Sequence, residues 1–274
     1  MSPAMRGVVK PAIEVMAALP TVILGFLAGL WLAPIIEHNL AGVFLSLLML
    51  PLAVVVAARL WSLSPAALRH RIPEGWEAAL LLPVVCGAVA LAMVVGEAAE
   101  VRWFGGDLPR WLTRELGIGF DQRNSLVVGL MMGFAVIPTV FSISEDAVFG
   151  VPRQLTVGSL ALGATPWQTM VRVVLLTASP GIFSGVMIGL GRAVGETMIV
   201  LMATGNTPVI DMNVFQGFRA LSANIAVEMP ESEVGSTHYR VLFLAALVLF
   251  LVTFVFNTVA EVVRQRLRAR YASL

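Results

Sequence analysis

The sequence predicts an all-α, polytopic membrane bundle of about six transmembrane helices. Three observations carry this. Hydrophobic residues make up 58% of the 274 and charged residues only 13%, an apolar share too large for a water-soluble fold to hide. The mean hydropathy is +0.88. The apolar residues are also contiguous, in runs close to the ~20 residues a helix needs to cross a hydrocarbon core about 30 Å thick.

The elements follow in order. Uncharged stretches at 15–36, 38–58, 78–96, 124–144 and 241–260 each satisfy the length requirement. A sixth, 179–204, qualifies once Arg192 and Glu196 are tolerated. Pro34, Pro51, Pro83 and Pro138 lie in or near these runs, where neighbouring helices can satisfy the carbonyls that proline frees. No cleavable leader is expected, because the first apolar run is too long and lacks a small-residue cleavage site. No internal repeat marks an inverted-repeat carrier.

Positive charge orients the set. The tail RQRLRAR, with Arg264, Arg266, Arg268 and Arg270, argues for a cytoplasmic end. Counting back, Arg6, Lys10, Arg59, Arg69, Arg71, Arg153 and Arg172 fall on the same side, and Arg102, Arg110, Arg114, Arg123, Arg219 and Arg240 on the other. Eleven basic residues inside against six outside fits six spans.

Two connections carry further signals. The outside segment 97–123 sets Trp103, Phe104 and Trp111 beside charges, the pattern of a short helix lying at the interface. The inside segment 145–178 is too polar to span. One helix is expected from about Pro152 to Leu162, ended by Gly163; Thr165 then caps a second, with Pro166 at its first position. A cytoplasmic helical hairpin results, followed by a span that Ser179-Pro180 opens in the same manner. Residues 205–240 form an external loop.

Several chemistries are excluded or disfavoured. The only cysteine, Cys86, rules out an internal disulfide, and the three histidines, His38, His70 and His238, are scattered near segment ends, which suggests neither a metal nor a catalytic centre. The single lysine, Lys10, has no glycine-rich loop before it, so a nucleotide-binding loop is absent. If ATP powers this protein, a separate subunit hydrolyses it. No nucleophile with a nearby base argues for an enzyme, and the net charge of +1 gives no sign of nucleic acid.

The chemistry concentrates in GLGRAVGETMIV, residues 189–200. On a continuous helix at about 100° per residue, Gly181, Gly185, Gly189, Arg192 and Glu196 share one face. Glycines four apart let another backbone approach closely, so both charges face packed protein or a water-filled cavity. A salt bridge that holds helices in register is one reading, since the spacing allows the pair. An ionisable group at mid-bilayer costs about 2.5–3.5 kcal/mol on insertion scales, which favours the other reading, a solute pathway. The guanidinium fork suits an oxyanion such as phosphate or sulfate. Thr21 and Thr197 are candidate hydroxyl donors to it, or bond their own helix carbonyls.

GLGRAVGETMIV resembles the signature segment of permease subunits of bacterial phosphate-specific ABC importers, of the PstC type more than its PstA partner. ALPTVILG (Ala18–Gly25) resembles the family's early IPSVVYG-like segment, and GSLALGATPWQTMVRVVLL resembles the ABC-importer EAA loop that docks on the ATPase. Val157 stands where that motif has glutamate, Gly158 and Ser159 where it has alanines, and Leu176 where it has proline. The runs 38–58 and 78–96 look like an insertion relative to short members. The chain begins where members already have an upstream membrane segment, which suggests an internal start.

The resemblance implies the MetI-like permease fold across residues 1–274, in the bacterial inner membrane. It implies a phosphate pathway through Arg192 and Glu196, and a coupling turn at Gly163, Ala164, Thr165 and Trp167. It implies paired ATPase subunits holding ATP and Mg, with no cofactor on this chain, together with a second permease subunit of the PstA type and an external phosphate-binding protein. The alternatives are a permease for another oxyanion, an ion-coupled secondary anion carrier, and a non-transporting membrane scaffold.

Overall fold

A computed structural model describes residues 3–64, 77–208 and 211–271. The inside segment with Arg69, His70 and Arg71 lies outside the described residues. Every regular element among them is helical, and six helices are long and apolar enough to cross a membrane.

The first is Thr21–His38, built from α2 (Thr21–Leu27), a π-helical turn (Ala28–Leu32) and α3 (Ala33–His38). A separate helix, α1 (Pro3–Ala17), precedes it, so the apolar run at 15–36 is not one helix. Pro20 causes the break, because it has no amide to donate and pushes Leu19 out of the helical region. Asn39 (φ −128°, ψ 33°) then separates this span from α4 (Leu40–Leu63). The third span lies in α5 (Glu77–Trp103), so Glu97, Glu100 and Arg102 are helical residues and not part of a loop. Glu100 is buried, and its Oε1 accepts a 2.9 Å bond from the Ala41 amide at the start of α4. That cap comes from a neighbouring helix, a relation no local pattern reveals. The same pair of helices passes closely where Gly96 meets the Gly42 backbone.

The short helix expected in the 97–123 segment is α6 (Leu108–Glu115), capped by Asp107, whose side chain accepts from the Arg110 amide. The fourth span is α7 (Ser125–Phe149), where Asn124 Oδ1 accepts from the Val127 amide. The hairpin follows as α8 (Arg153–Ala161) and α9 (Pro166–Thr169), after which a π-helical turn (Met170–Val174) leads into α10 (Leu175–Val194). Residues Pro166–Val194 form one membrane-length helical path. A span opening at Ser179-Pro180 is therefore corrected: Pro180 lies inside α10. The reason is local. Proline frees the carbonyl four residues back, and the Ser179 hydroxyl donates to that carbonyl, Leu176 O, at 2.8 Å. The chain continues through α11 (Met198–Ala203) and α12 (Leu221–Glu228) to α13 (Thr237–Tyr271).

The chain divides into two compact units. One comprises Met1–Ala12, Gly25–Val128 and Met202–Phe218; the other comprises Ile13–Leu24, Gly129–Leu201 and Arg219–Leu274. In the first unit, residues 213–217 are hydrogen-bonded back onto 119–126, with Phe215 beside Phe120 and Phe44 at ring separations of 5.7 and 6.1 Å. The second unit holds the hairpin and all the candidate pathway residues.

Within that second unit the glycine stripe is a seam. A Cβ on Gly181 would meet Ala147, one on Gly185 would lie 3.2 Å from Ile143, and one on Gly189 would lie 2.6 Å from both Val136 and Val140. The stripe therefore lies against α7. Overpacking a helix seam costs about 1–3 kcal/mol. Gly189→Val is accordingly expected to lower the thermal unfolding midpoint of the detergent-solubilised protein. Gly133→Ala on α7, with open space around its Cβ position, does not lower the midpoint, and the better helix propensity of alanine raises it slightly if anything.

Candidate functional site

Arg192 and Glu196 do not lie on one continuous helix. Helix α10 ends at Val194, Gly195 is its C-cap, and α11 begins at Met198. The apolar stretch 179–204 is thus two helical pieces joined at a break, and the shared face drawn for both charges applies only as far as Arg192. Each charge sits at the helix end it favours. Arg192 occupies the last turn of α10, where the macrodipole is negative, and Glu196 precedes α11, where it is positive.

The glutamate acts as a cap. Its Oε1 accepts from the amides of Met198 at 3.2 Å and Ile199 at 3.4 Å, two donors that a helix start leaves without intrahelical partners. Its carbonyl accepts a 3.0 Å bond from the Ser222 hydroxyl on α12. That short helix is held at its other end as well, where Glu228 meets Arg219 and His238, each at 3.3 Å.

The arginine is placed differently. Its Nη1 donates to Thr139 Oγ1 on α7 at 3.2 Å, and the side chain is exposed. Among the described residues no carboxylate lies within ion-pair distance of it, Glu196 included. A register-holding salt bridge is therefore not what these residues form. A guanidinium has five donors in a planar fork, and here a neutral hydroxyl positions it without cancelling its charge.

Thr197 lies in the break, its hydroxyl 3.4 Å from the Gly195 carbonyl. Thr21 opens α2, and no hydrogen bond among the described residues joins it to Arg192, Glu196 or Thr197. The break thus brings Arg192, Glu196 and Thr197 together in sequence, while Thr21 belongs to a separate helix.

The hairpin turn is built by local chemistry. Gly163 has φ +86°, a left-handed conformation that suits glycine. Thr165 and Gln168 form a reciprocal capping box with Pro166 at the first turn, as the sequence predicts. Ser159 Oγ and Thr169 Oγ1, 3.0 Å apart, tie the two arms together. The tip exposes large apolar groups: Leu162 is 91% exposed and Trp167 75%. Ala164 lies between them in the turn.

Two residues at the break are invisible to sequence reasoning. Thr139 is a lone hydroxyl in an apolar span, and Ser222 sits in a loop-flanked short helix; both acquire meaning only from a partner on another helix. The break itself has a signal in hindsight, because Gly195 followed by an acidic residue reads as a stop and a new cap.

With this geometry in view, residues 77–271 match the family described as binding-protein-dependent transport system inner membrane component. A probable ABC transporter permease protein, YqgH, of Bacillus subtilis is 32% identical over 208 residues, covering 75% of this chain and 64% of the relative. The phosphate transport system permease protein PstC of Mesorhizobium japonicum is 30% identical over 250 residues, covering 87% of this chain and 74% of the relative. PstA 1 of Mycobacterium tuberculosis, also named as a phosphate transport system permease protein, is 34% identical over 148 residues, covering 54% of this chain and 47% of the relative. The chain thus spans less than two thirds of the length of the first and about three quarters of the second. No solved structure matches it.

Proposed function

The chain belongs to the family of binding-protein-dependent transport system inner membrane components, and on that premise we propose that it is the channel-forming transmembrane subunit of an ATP-driven inorganic phosphate importer. The observation that carries the substrate class is the Arg192 guanidinium, held by the Thr139 hydroxyl and without a carboxylate partner among the described residues. An oxyanion supplies the missing negative charge, and the fork geometry suits it. The names of the PstC and PstA relatives favour phosphate over other oxyanions.

In this reading an external binding protein delivers phosphate, a PstA-type permease completes the passage, and separate ATPase subunits in the cytoplasm hydrolyse ATP with Mg. The protein resides in the bacterial inner membrane. Arg192 meets the anion, Glu196 fixes the break that presents it, and Thr197 and Thr21 are candidate further donors. The hairpin tip at Gly163, Ala164, Thr165 and Trp167 docks on the ATPase, and its closure arrives as a rigid push along the helical path.

The test is ATP hydrolysis and labelled-phosphate uptake by the purified complex with its ATPase subunits in vesicles. Phosphate-loaded binding protein is expected to stimulate both. Stimulation by sulfate instead would reassign the oxyanion. Uptake that needs no ATPase and collapses with an uncoupler would replace the reading with an ion-coupled carrier.

A further inference from the structure

We propose that Thr139 is a positioning residue for anion passage: its hydroxyl fixes the orientation in which the Arg192 guanidinium meets the solute. The inference rests on the pathway reading of Arg192 and goes beyond it, because it assigns a residue on a different helix. The geometry is specific. Thr139 Oγ1 receives Arg192 Nη1 at 3.2 Å. It lies on α7 among Val136, Val140, Ile143 and Ala147, which meet the glycine stripe of α10. That seam fixes the separation of the two helices at the level where the bond forms.

The residue type fits the task. A carboxylate here would hold the arginine more strongly, but it would also neutralise the guanidinium and compete with an incoming anion. A hydroxyl accepts one N–H and leaves the positive charge in place. The short β-branched side chain has only two common χ1 positions in a helix, so the acceptor has little freedom of its own. The arginine needs such a guide, because it sits in the last turn of α10 with a break immediately beyond, and its long side chain is otherwise free to reorient.

The experiment measures labelled-phosphate uptake by the assembled importer in vesicles, normalised to the amount of complex, for Thr139→Val, Thr139→Ser and Arg192→Leu. Valine keeps the branched shape without the acceptor and is expected to raise KM about tenfold with the maximal rate within about twofold, on the scale of one hydrogen bond to a charged group. Serine restores the acceptor and keeps KM close to that of the parent. Should the valine variant not assemble, Thr139→Ala provides the same comparison. A parent-like KM without the hydroxyl, or an equal rise for valine and serine, overturns the proposal. The two readings separate cleanly: normal transport by Arg192→Leu overturns the pathway itself, whereas loss of transport in that variant beside an unchanged KM for Thr139→Val overturns only the role of Thr139.

Discussion

Arg192→Leu is expected to abolish phosphate uptake while leaving the permease folded and bound to its ATPase partners. The side chain is exposed and makes a single hydrogen bond, to Thr139, so its removal opens no core cavity and strands no buried carboxylate. What is lost is the charge that, in the proposed function, meets the solute. A hydrogen bond to a charged group contributes about 1.5–3 kcal/mol, and about 3 kcal/mol corresponds to a rate reduction of roughly a hundredfold. Arg192→Lys keeps the charge and loses the bidentate fork, and is expected to fall between the parent and leucine. Uptake of labelled phosphate, with ATPase co-purification as the control for assembly, measures both. A leucine variant that transports at the parental rate would remove the substrate reading, because nothing else at the break offers an uncompensated cation.

The parts of the structure that were legible follow from where their causes lie. Apolar runs are set by composition over about 20 residues, so spans can be located from hydropathy alone. The hairpin turn was legible for a second reason: Gly163, Thr165, Pro166 and Gln168 act on their own neighbours, and local capping rules need no tertiary partner. Ser179-Pro180 shows the limit of those rules. The same cap-then-proline pattern that starts a helix at Thr165 sits inside one at Ser179, because the serine hydroxyl turns back to the freed carbonyl. The arginine and glutamate share a face only on a continuous helix, and the helix is not continuous there. The break at Gly195 turns an apparent pair into two separate tasks, a cap and a free cation. Glu100 capping Ala41, Thr139 receiving Arg192 and Ser222 binding the Glu196 carbonyl all depend on side chains that meet across helices. Such contacts leave no periodicity in the chain.

The hairpin tip gives the other large expected effect. A combined Leu162→Asp and Trp167→Ala substitution is expected to abolish ATPase co-purification and ATP-driven uptake without lowering the thermal stability of the isolated permease. Both side chains are largely exposed, so neither contributes much to the permease's own core. Tryptophan is, however, a residue type enriched among the anchors of partner surfaces, where loss of one such anchor costs about 2–4 kcal/mol, and an aspartate in place of Leu162 adds a charge to the surface that would be buried. The two together correspond to a loss of binding well beyond a hundredfold. The helix geometry connects the proposed docking tip to the proposed pathway. From Trp167 to Arg192 the chain is helical without interruption, roughly 38 Å at 1.5 Å per residue, and the Ser159–Thr169 contact braces its lower end. A displacement at the tip therefore has no flexible joint in which to dissipate before it reaches the guanidinium. Phe250→Ala, at another exposed apolar group, on α13, controls for the loss of exposed apolar surface in general and should leave co-purification intact. If the tip variant still retains its ATPase and transports, the hairpin is not the coupling element, and the motor must grip the permease elsewhere.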